Sequence, residues 1–221
     1  MIFVNFKTYP QGTGQKAVEL VKICESVSKE SGVEIIPVVQ AVDLWRVTQA
    51  VKIPVWVQHV DWFEPGQHTG WINLESVIES GASGTLLNHS EHQLAPGTIN
   101  QVIKRSEKRD AGSGKKFQIM VCCKTTGQAE RLLKLKPDFL AYEPPELIGN
   151  KMKSVTTEKP KVIKKIVELS SISVIVGAGI HSKQDIETSL KMGAKGILVS
   201  SDIVLADNPE QELRKLTGGS S

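Results

Sequence analysis

The chain of 221 residues is 40% hydrophobic and carries Lys+Arg 27 against Asp+Glu 24, a formal charge of +3. No run approaches the roughly 20 apolar residues that a membrane helix needs, and the basic residues are scattered over helix faces rather than gathered into the concentrated footprint of a nucleic-acid binder. The three cysteines, Cys24, Cys122 and Cys123, have neither metal-ligand spacing nor the even number of a disulfide framework, which points to a reducing cytoplasm.

The first apolar run, MIFVNF at 1–6, is short and has no basic segment ahead of it, so it reads as a strand rather than a secretory signal. In the segment that follows, GQKAVELVKICESVSKES, the residues Ala17, Val18, Val21, Cys24 and Val27 form one helical stripe. Further apolar runs come in order: VEIIPVV (33–39), VWVQ (55–58), GTLLN (84–88), FQIMVC (117–122), DFLAYE (138–143), SVIVGAG (173–179) and GILVSS (196–201). Each is nearly continuously apolar, the pattern of parallel strands buried on both faces. Between them lie helical segments such as KPKVIKKIVELS, with Val162, Ile163, Ile166 and Val167 on one side. Eight strands alternating with helices and no long linker predict a (β/α)8 barrel, α/β in class, as one domain over 1–217. A doubly wound open sheet is the structural alternative. The closing Gly-Gly-Ser-Ser at 218–221 reads as a polar tail.

Barrels of this kind carry their active sites at the carboxyl ends of the strands. That rule selects Asn5 and Lys7 after the first run, Asn88, His89 and Glu91 after the fourth, and Glu143 after the sixth. It adds Gly177, Ala178 and Gly179 after the seventh, and Ser200 and Ser201 after the eighth. A lysine, a histidine and a carboxylate from three strands form a proton-transfer set, beside two turns of small residues that could present N–H groups to a phosphate. His89 and His92, three apart, also admit a metal-ligand reading, but no third ligand is identifiable; His92 reads instead as a solvated residue at a helix start. Cys122 follows the fifth strand with no base identifiable beside it, so packing is its expected role. Trp45, Trp56, Trp62 and Trp71 lack a base-stacking pattern and are expected in the core or an interface.

VNFKTY, GTLLNHSE, AYEPPELIG and GAGI followed by GILVSS, in this order, resemble the triosephosphate isomerase family, in particular its short archaeal members, over essentially the whole chain. The resemblance implies cofactor-free and metal-free interconversion of dihydroxyacetone phosphate and D-glyceraldehyde 3-phosphate in glycolysis and gluconeogenesis, through an enediol(ate). It implies Glu143 as the base, His89 as the electrophile and proton shuttle, Lys7 as the charge neutraliser and Asn5 as an orienting group. Glu91 matches a carboxylate placed near the lysine, and the N–H groups of Gly149, Gly179, Ser200 and Ser201 would hold the phosphate. It also implies a cytoplasmic homodimer or homotetramer, with the GQHTG loop around Thr69 at the interface and no membrane or nucleic-acid partner. Another phosphosugar isomerase, or a non-catalytic barrel that binds phosphometabolites, is the functional alternative. The chain departs from the family pattern after Gly149, where Asn150 and Lys151 stand at the second hinge of the expected lid. It departs again after the histidine motif, where His92 and Gln93 replace an arginine.

Overall fold

Every apolar run quoted above forms a strand. The computed structural model describes residues 1–113, 116–149 and 153–218. Strands β1 (Ile2–Asn5), β2 (Ile35–Val39), β3 (Trp56–Val57), β4 (Gly84–Leu87), β5 (Gln118–Cys123), β6 (Phe139–Tyr142), β7 (Ser173–Gly177) and β8 (Gly196–Val199) pair in sequence order. All pairs are parallel, and β1 closes the barrel on β8 with Ile2 opposite Ile197. This is the (β/α)8 architecture, and the open-sheet alternative is excluded by that closure.

The helices cover the outside. They are α1 (Gln15–Ser31), α2 (Ala41–Thr48), α3 (Leu74–Glu79), α4 (Pro96–Ser113), α5 (Thr126–Leu133), α6 (Val155–Glu158), α7 (Pro160–Leu169), α8 (Lys183–Lys191), α9 (Ser201–Val204) and α10 (Pro209–Thr217). The expected stripe of α1 is buried at Ala17, Leu20, Val21, Cys24 and Val27, while Val18 is only partly covered. Gly32 ends that helix in the left-handed conformation at φ 69°, returning its N–H to the Ser28 carbonyl. Gly218 closes α10 in the same way at φ 86°, and the rest of the expected tail lies outside the described residues.

Two apolar layers follow from strand pleating, because successive side chains point to opposite faces. Ile2 and Val4, Val121 and Cys123, and Leu140 and Tyr142 face outward to the helices. Phe3, Met120, Cys122, Phe139, Ala141, Ile175 and Leu198 face inward and fill the barrel. Phe3, Trp56 and Phe139 meet edge to face at centroid distances of 4.9, 5.8 and 5.7 Å and plug its lower half. Of the four tryptophans Trp56 is fully in the core, Trp62 packs against it partly buried, and Trp45 and Trp71 are 60% and 56% exposed, which leaves the interface half of the expectation for those two. The Trp56 indole fits because Gly84 has no side chain: a Cβ there would lie 2.4 Å from the ring and 2.7 Å from the Gln118 carbonyl oxygen.

Overpacking a filled core costs about 1–3 kcal/mol. Gly84→Ala is therefore expected to lower unfolding stability by about that amount in a denaturant titration. An unchanged midpoint would mean that the barrel interior has slack which these contacts do not show.

Candidate active site

The pleat that fills the barrel also loads its carboxyl-terminal mouth. Phe139 and Ala141 point inward, so Glu143, two residues on, points inward as well; Phe3 leads to Asn5 and Leu198 to Ser200 by the same step of two. Lys7, His89 and Glu143 line one cavity with Asn5, and the turns at Gly149, Gly179, Ser200 and Ser201 line its other side. The structure thus brings together the residues the strand-end rule and the family resemblance selected, except that Asn88 and Gly177 lie behind the cavity wall and Glu91 touches it through Lys7 and His89.

Left-handed backbone aims the side chains that pleating alone does not. Lys7, Asn88 and Ala178, each just past a strand, have φ of 47°, 59° and 73°, a conformation that costs a non-glycine residue on the order of 1 kcal/mol or more. Neighbouring side chains hold Lys7 and Asn88 there, and the Val155 N–H donates to the Ala178 carbonyl at 3.3 Å. The Lys7 N–H donates to Asn5 Oδ1 at 3.0 Å, and Gln58 Nε2 donates to both Asn5 Oδ1 at 3.2 Å and the Lys7 carbonyl at 2.9 Å. Asn88 donates through Nδ2 to the Cys122 carbonyl at 2.8 Å and accepts the Leu94 N–H at 2.9 Å, so its side chain folds the turn that presents His89. At Gly179 a Cβ would lie 2.2 Å from the Lys153 carbonyl oxygen, so only glycine lets that segment pass over the turn.

Charge and hydrogen bonding then fix the chemistry. Lys7 Nζ lies 2.6 Å from Glu91 Oε1; because Glu91 is half exposed, the pair adds about 1 kcal/mol or less to stability, and its effect is to hold the ammonium over the cavity. His89 Nδ1 accepts the Glu91 backbone N–H at 3.2 Å, whereas the Glu91 carboxylate is farther away at 3.6 Å. The amide contact is the hydrogen bond, and a nitrogen that accepts from an amide carries no proton. The proton of His89 therefore sits on Nε2, which faces Glu143 Oε2 at 3.6 Å, too far for a direct hydrogen bond. Glu143 is buried, and its Oε2 has no hydrogen-bond partner among the described residues. A buried acceptor and a buried donor are left facing the same small space. Gly177 makes room for this, since a Cβ there would lie 2.6 Å from Glu143 Cγ.

Several residues escaped the sequence reading. Gln58 directly follows β3 and was within reach of the strand-end rule; His181 and Asp202 line the cavity beside Gly179 and Ser201, and their pairing across two strand ends has no linear signal. Other expectations need correction. Cys122 does have a base beside it, because the Glu143 carboxylate lies close enough for its charge to push the thiol up. His92 is solvated but precedes the helix: α4 begins at Pro96, and the His92 ring lies tilted against that of His59 at 4.4 Å. The altered hinge at Asn150 and Lys151 lies outside the described residues.

Known proteins match the chain along nearly its whole length. The family model described as triosephosphate isomerase matches residues 1–215. The triosephosphate isomerase of Methanothermus fervidus is 39% identical over 98% of this chain and 96% of its own length. Those of Methanothermobacter thermautotrophicus and Methanocaldococcus jannaschii are 39% and 37% identical over 98% of this chain, and over 93% and 98% of their own lengths.

Burial governs the thiols around the site. It pushes Cys24 and Cys123 up from 9.0 to about 12, and Cys122 well above 9.0, with the neighbouring Glu143 charge adding to the rise at Cys122 and Cys123. Folded-state values above the unfolded ones mean that their contribution to stability is complete below about pH 9 and is lost as the pH climbs towards 12. In the native protein at mildly alkaline pH, a thiol-labelling reagent is expected to modify none of the three cysteines, and all of them once the chain is unfolded. Rapid native labelling of Cys122 would contradict this burial.

Proposed function

The chain belongs to the triosephosphate isomerase family, and on that premise we propose that Glu143, His89 and Lys7 carry out its reaction. The protein is an enzyme: it interconverts dihydroxyacetone phosphate and D-glyceraldehyde 3-phosphate, an intramolecular oxidoreduction and a step of glycolysis. The alternative of a non-catalytic barrel is not favoured. Residues 1–217 act as one catalytic domain in this reading.

Isomerisation moves a proton between adjacent carbons while the carbonyl changes place. Glu143 takes the carbon-bound proton of dihydroxyacetone phosphate, and the electron pair left behind forms the carbon–carbon double bond of an enediolate. His89 Nε2–H donates to the oxygen that gains charge, and the neutral enediol forms as that proton passes across. The second oxygen then returns its proton to His89, and the carboxylic acid of Glu143 delivers its own to the neighbouring carbon, which restores both side chains. The observation that carries this reading is the buried Glu143 Oε2 left without a partner, 3.6 Å from a His89 Nε2 whose proton is assigned by the Glu91 amide. Both groups are buried and face the same small space, so the carboxylate and the imidazole keep their directions towards the substrate. Lys7, pinned by Glu91 and Gln58, lowers the energy of the developing negative charge. Asn5 is engaged with Lys7 and Gln58 and orients the substrate through that frame. The phosphate is assigned to the far wall, at the turns of Gly149, Gly179, Ser200 and Ser201.

Glu143→Gln keeps the shape and removes the base. Steady-state isomerisation of glyceraldehyde 3-phosphate is expected to fall by roughly 10²–10⁴-fold in kcat, with an unchanged circular dichroism spectrum. Retention of activity within a few-fold would remove Glu143 from this role.

For the partner, we propose a homodimer or homotetramer that uses the loop around Thr69. Support comes from exposed apolar side chains gathered beside that loop: Val42, Trp45 and Trp71 are 77%, 60% and 56% exposed. Phe63 stacks on His68 at 4.3 Å, and Glu64 pairs with Arg105 at 2.6 Å, so the loop is built as a rigid projection. A cavity of about 480 Å³ bordered by Val42, His59 and His92 opens next to Lys7 and offers a place for such a projection from a second copy. A cytoplasmic location is proposed on the three reduced thiols; among the described residues no helix is long and apolar enough to cross a membrane. Light scattering is expected to give a multiple of the 24.2 kDa chain mass, falling to one chain in Trp71→Lys. A monomeric parent protein would overturn the assembly.

A further inference from the structure

Two buried polar atoms on the phosphate side of the cavity have no partner among the described residues: Ser200 Oγ and His181 Nε2. The His181 ring is held from behind. Its Nδ1 lies 2.9 Å from Asp202 Oδ2, and its backbone N–H donates to Asp185 Oδ2 at 3.3 Å. The residue follows the turn of Gly179, and Asp202 follows Ser201, so the pair joins the two turns assigned to the phosphate.

The charges leave one consistent reading. Asp202, at the rim of the cavity, would repel a phosphate if it faced the ligand alone. With the imidazole between them, Nδ1–H donates to the carboxylate and Nε2 is the atom left for the ligand. A phosphate dianion offers only acceptors, so Nε2 must donate as well, and the ring then carries both protons. The charged groups on its own side of the cavity are acidic. Asp202 faces it from α9 and Asp185 from α8, while Asp207 and Glu212 line the outer opening beside Asp202. Burial opposes ionisation of Asp185, but hydrogen bonds from Thr156, Ser154, Ser182 and the His181 N–H outweigh it and hold its carboxyl below the usual range. Across the cavity Lys7 is paired with Glu91, and His89 and Glu143 lie on the opposite wall.

We propose that His181, oriented by Asp202, is a phosphate-binding side chain of this site and binds the ligand as an imidazolium, taking up one proton from solvent as the phosphate enters. The proposal rests on the isomerase reading above and adds a charged side chain to a cradle otherwise assigned to backbone N–H groups. Ser200 Oγ, the second unpartnered atom, supplies a hydroxyl to the same ligand.

The test uses the full chain with 15N-labelled histidine, titrated with inorganic phosphate, and steady-state kinetics of His181→Gln and Asp202→Asn. Phosphate is expected to move both His181 ring nitrogens to the signature of the doubly protonated ring. His181→Gln is expected to raise KM and the inhibition constant of inorganic phosphate by roughly tenfold or more, the loss falling on KM more than on kcat. Asp202→Asn is expected to do the same most strongly at alkaline pH and to recover as the pH is lowered and solvent protonates the ring. A parent that isomerises normally while phosphate leaves the His181 nitrogens and the variants' KM unmoved overturns the proposal and spares the isomerase reading. A parent that shows the phosphate-dependent shift but no isomerisation supports the phosphate site and overturns the catalytic reading instead.

Discussion

Closure of the barrel is the constraint on which the site depends. Eight parallel strands can close only if each is paired on both sides, and once they close, every second side chain must enter a shared interior. That interior is filled below by Phe3, Trp56 and Phe139. Above them the same inward parity delivers Asn5, Glu143 and Ser200 to one mouth, although they stand far apart in the chain. The Glu143 carboxylate is thus placed by the packing of Phe139 and Ala141 beneath it. No loop has to find it.

Placement costs free energy locally and is compensated nearby. Lys7, Asn88 and Ala178 sit in left-handed backbone, and Glu143 Oε2 and Ser200 Oγ are buried with no partner among the described residues. A structure selected for stability alone would relieve these features. Here the surroundings accommodate them: Asn5 and Gln58 brace Lys7, the Asn88 side chain reaches across to Cys122, and Gly177 leaves room for Glu143. The unsatisfied atoms share one cavity with the His89 imidazole, so a polar substrate relieves them together.

Much of this was legible in the sequence. Near-continuous apolar runs separated by amphipathic segments identified all eight strands, and the residues just beyond them included Lys7, His89, Glu91 and Glu143. What the sequence hid were pairings across long separations. Gln58 braces Lys7 from 51 positions away, and His181 meets Asp202 across 21; neither relation has a local pattern. The exposure of Trp45 and Trp71 was hidden for another reason, since a bulky apolar residue reads the same whether it serves a core or a surface. The contact between Cys122 and Glu143 arises because β5 and β6 pair with Cys122 opposite Ala141, a register that only the assembled sheet reveals.

The central claim is that backbone geometry at Glu91 assigns the proton of His89 to Nε2, where it can serve the substrate. Nitrogen NMR of the histidine-labelled protein at neutral pH tests it most directly. A bare Nδ1 and a protonated Nε2 at His89, retained when a substrate analogue binds, are the predicted result. A proton on Nδ1, or on both nitrogens, would contradict the account, because His89 would then meet the substrate either without a donor or as a cation paired to Glu91.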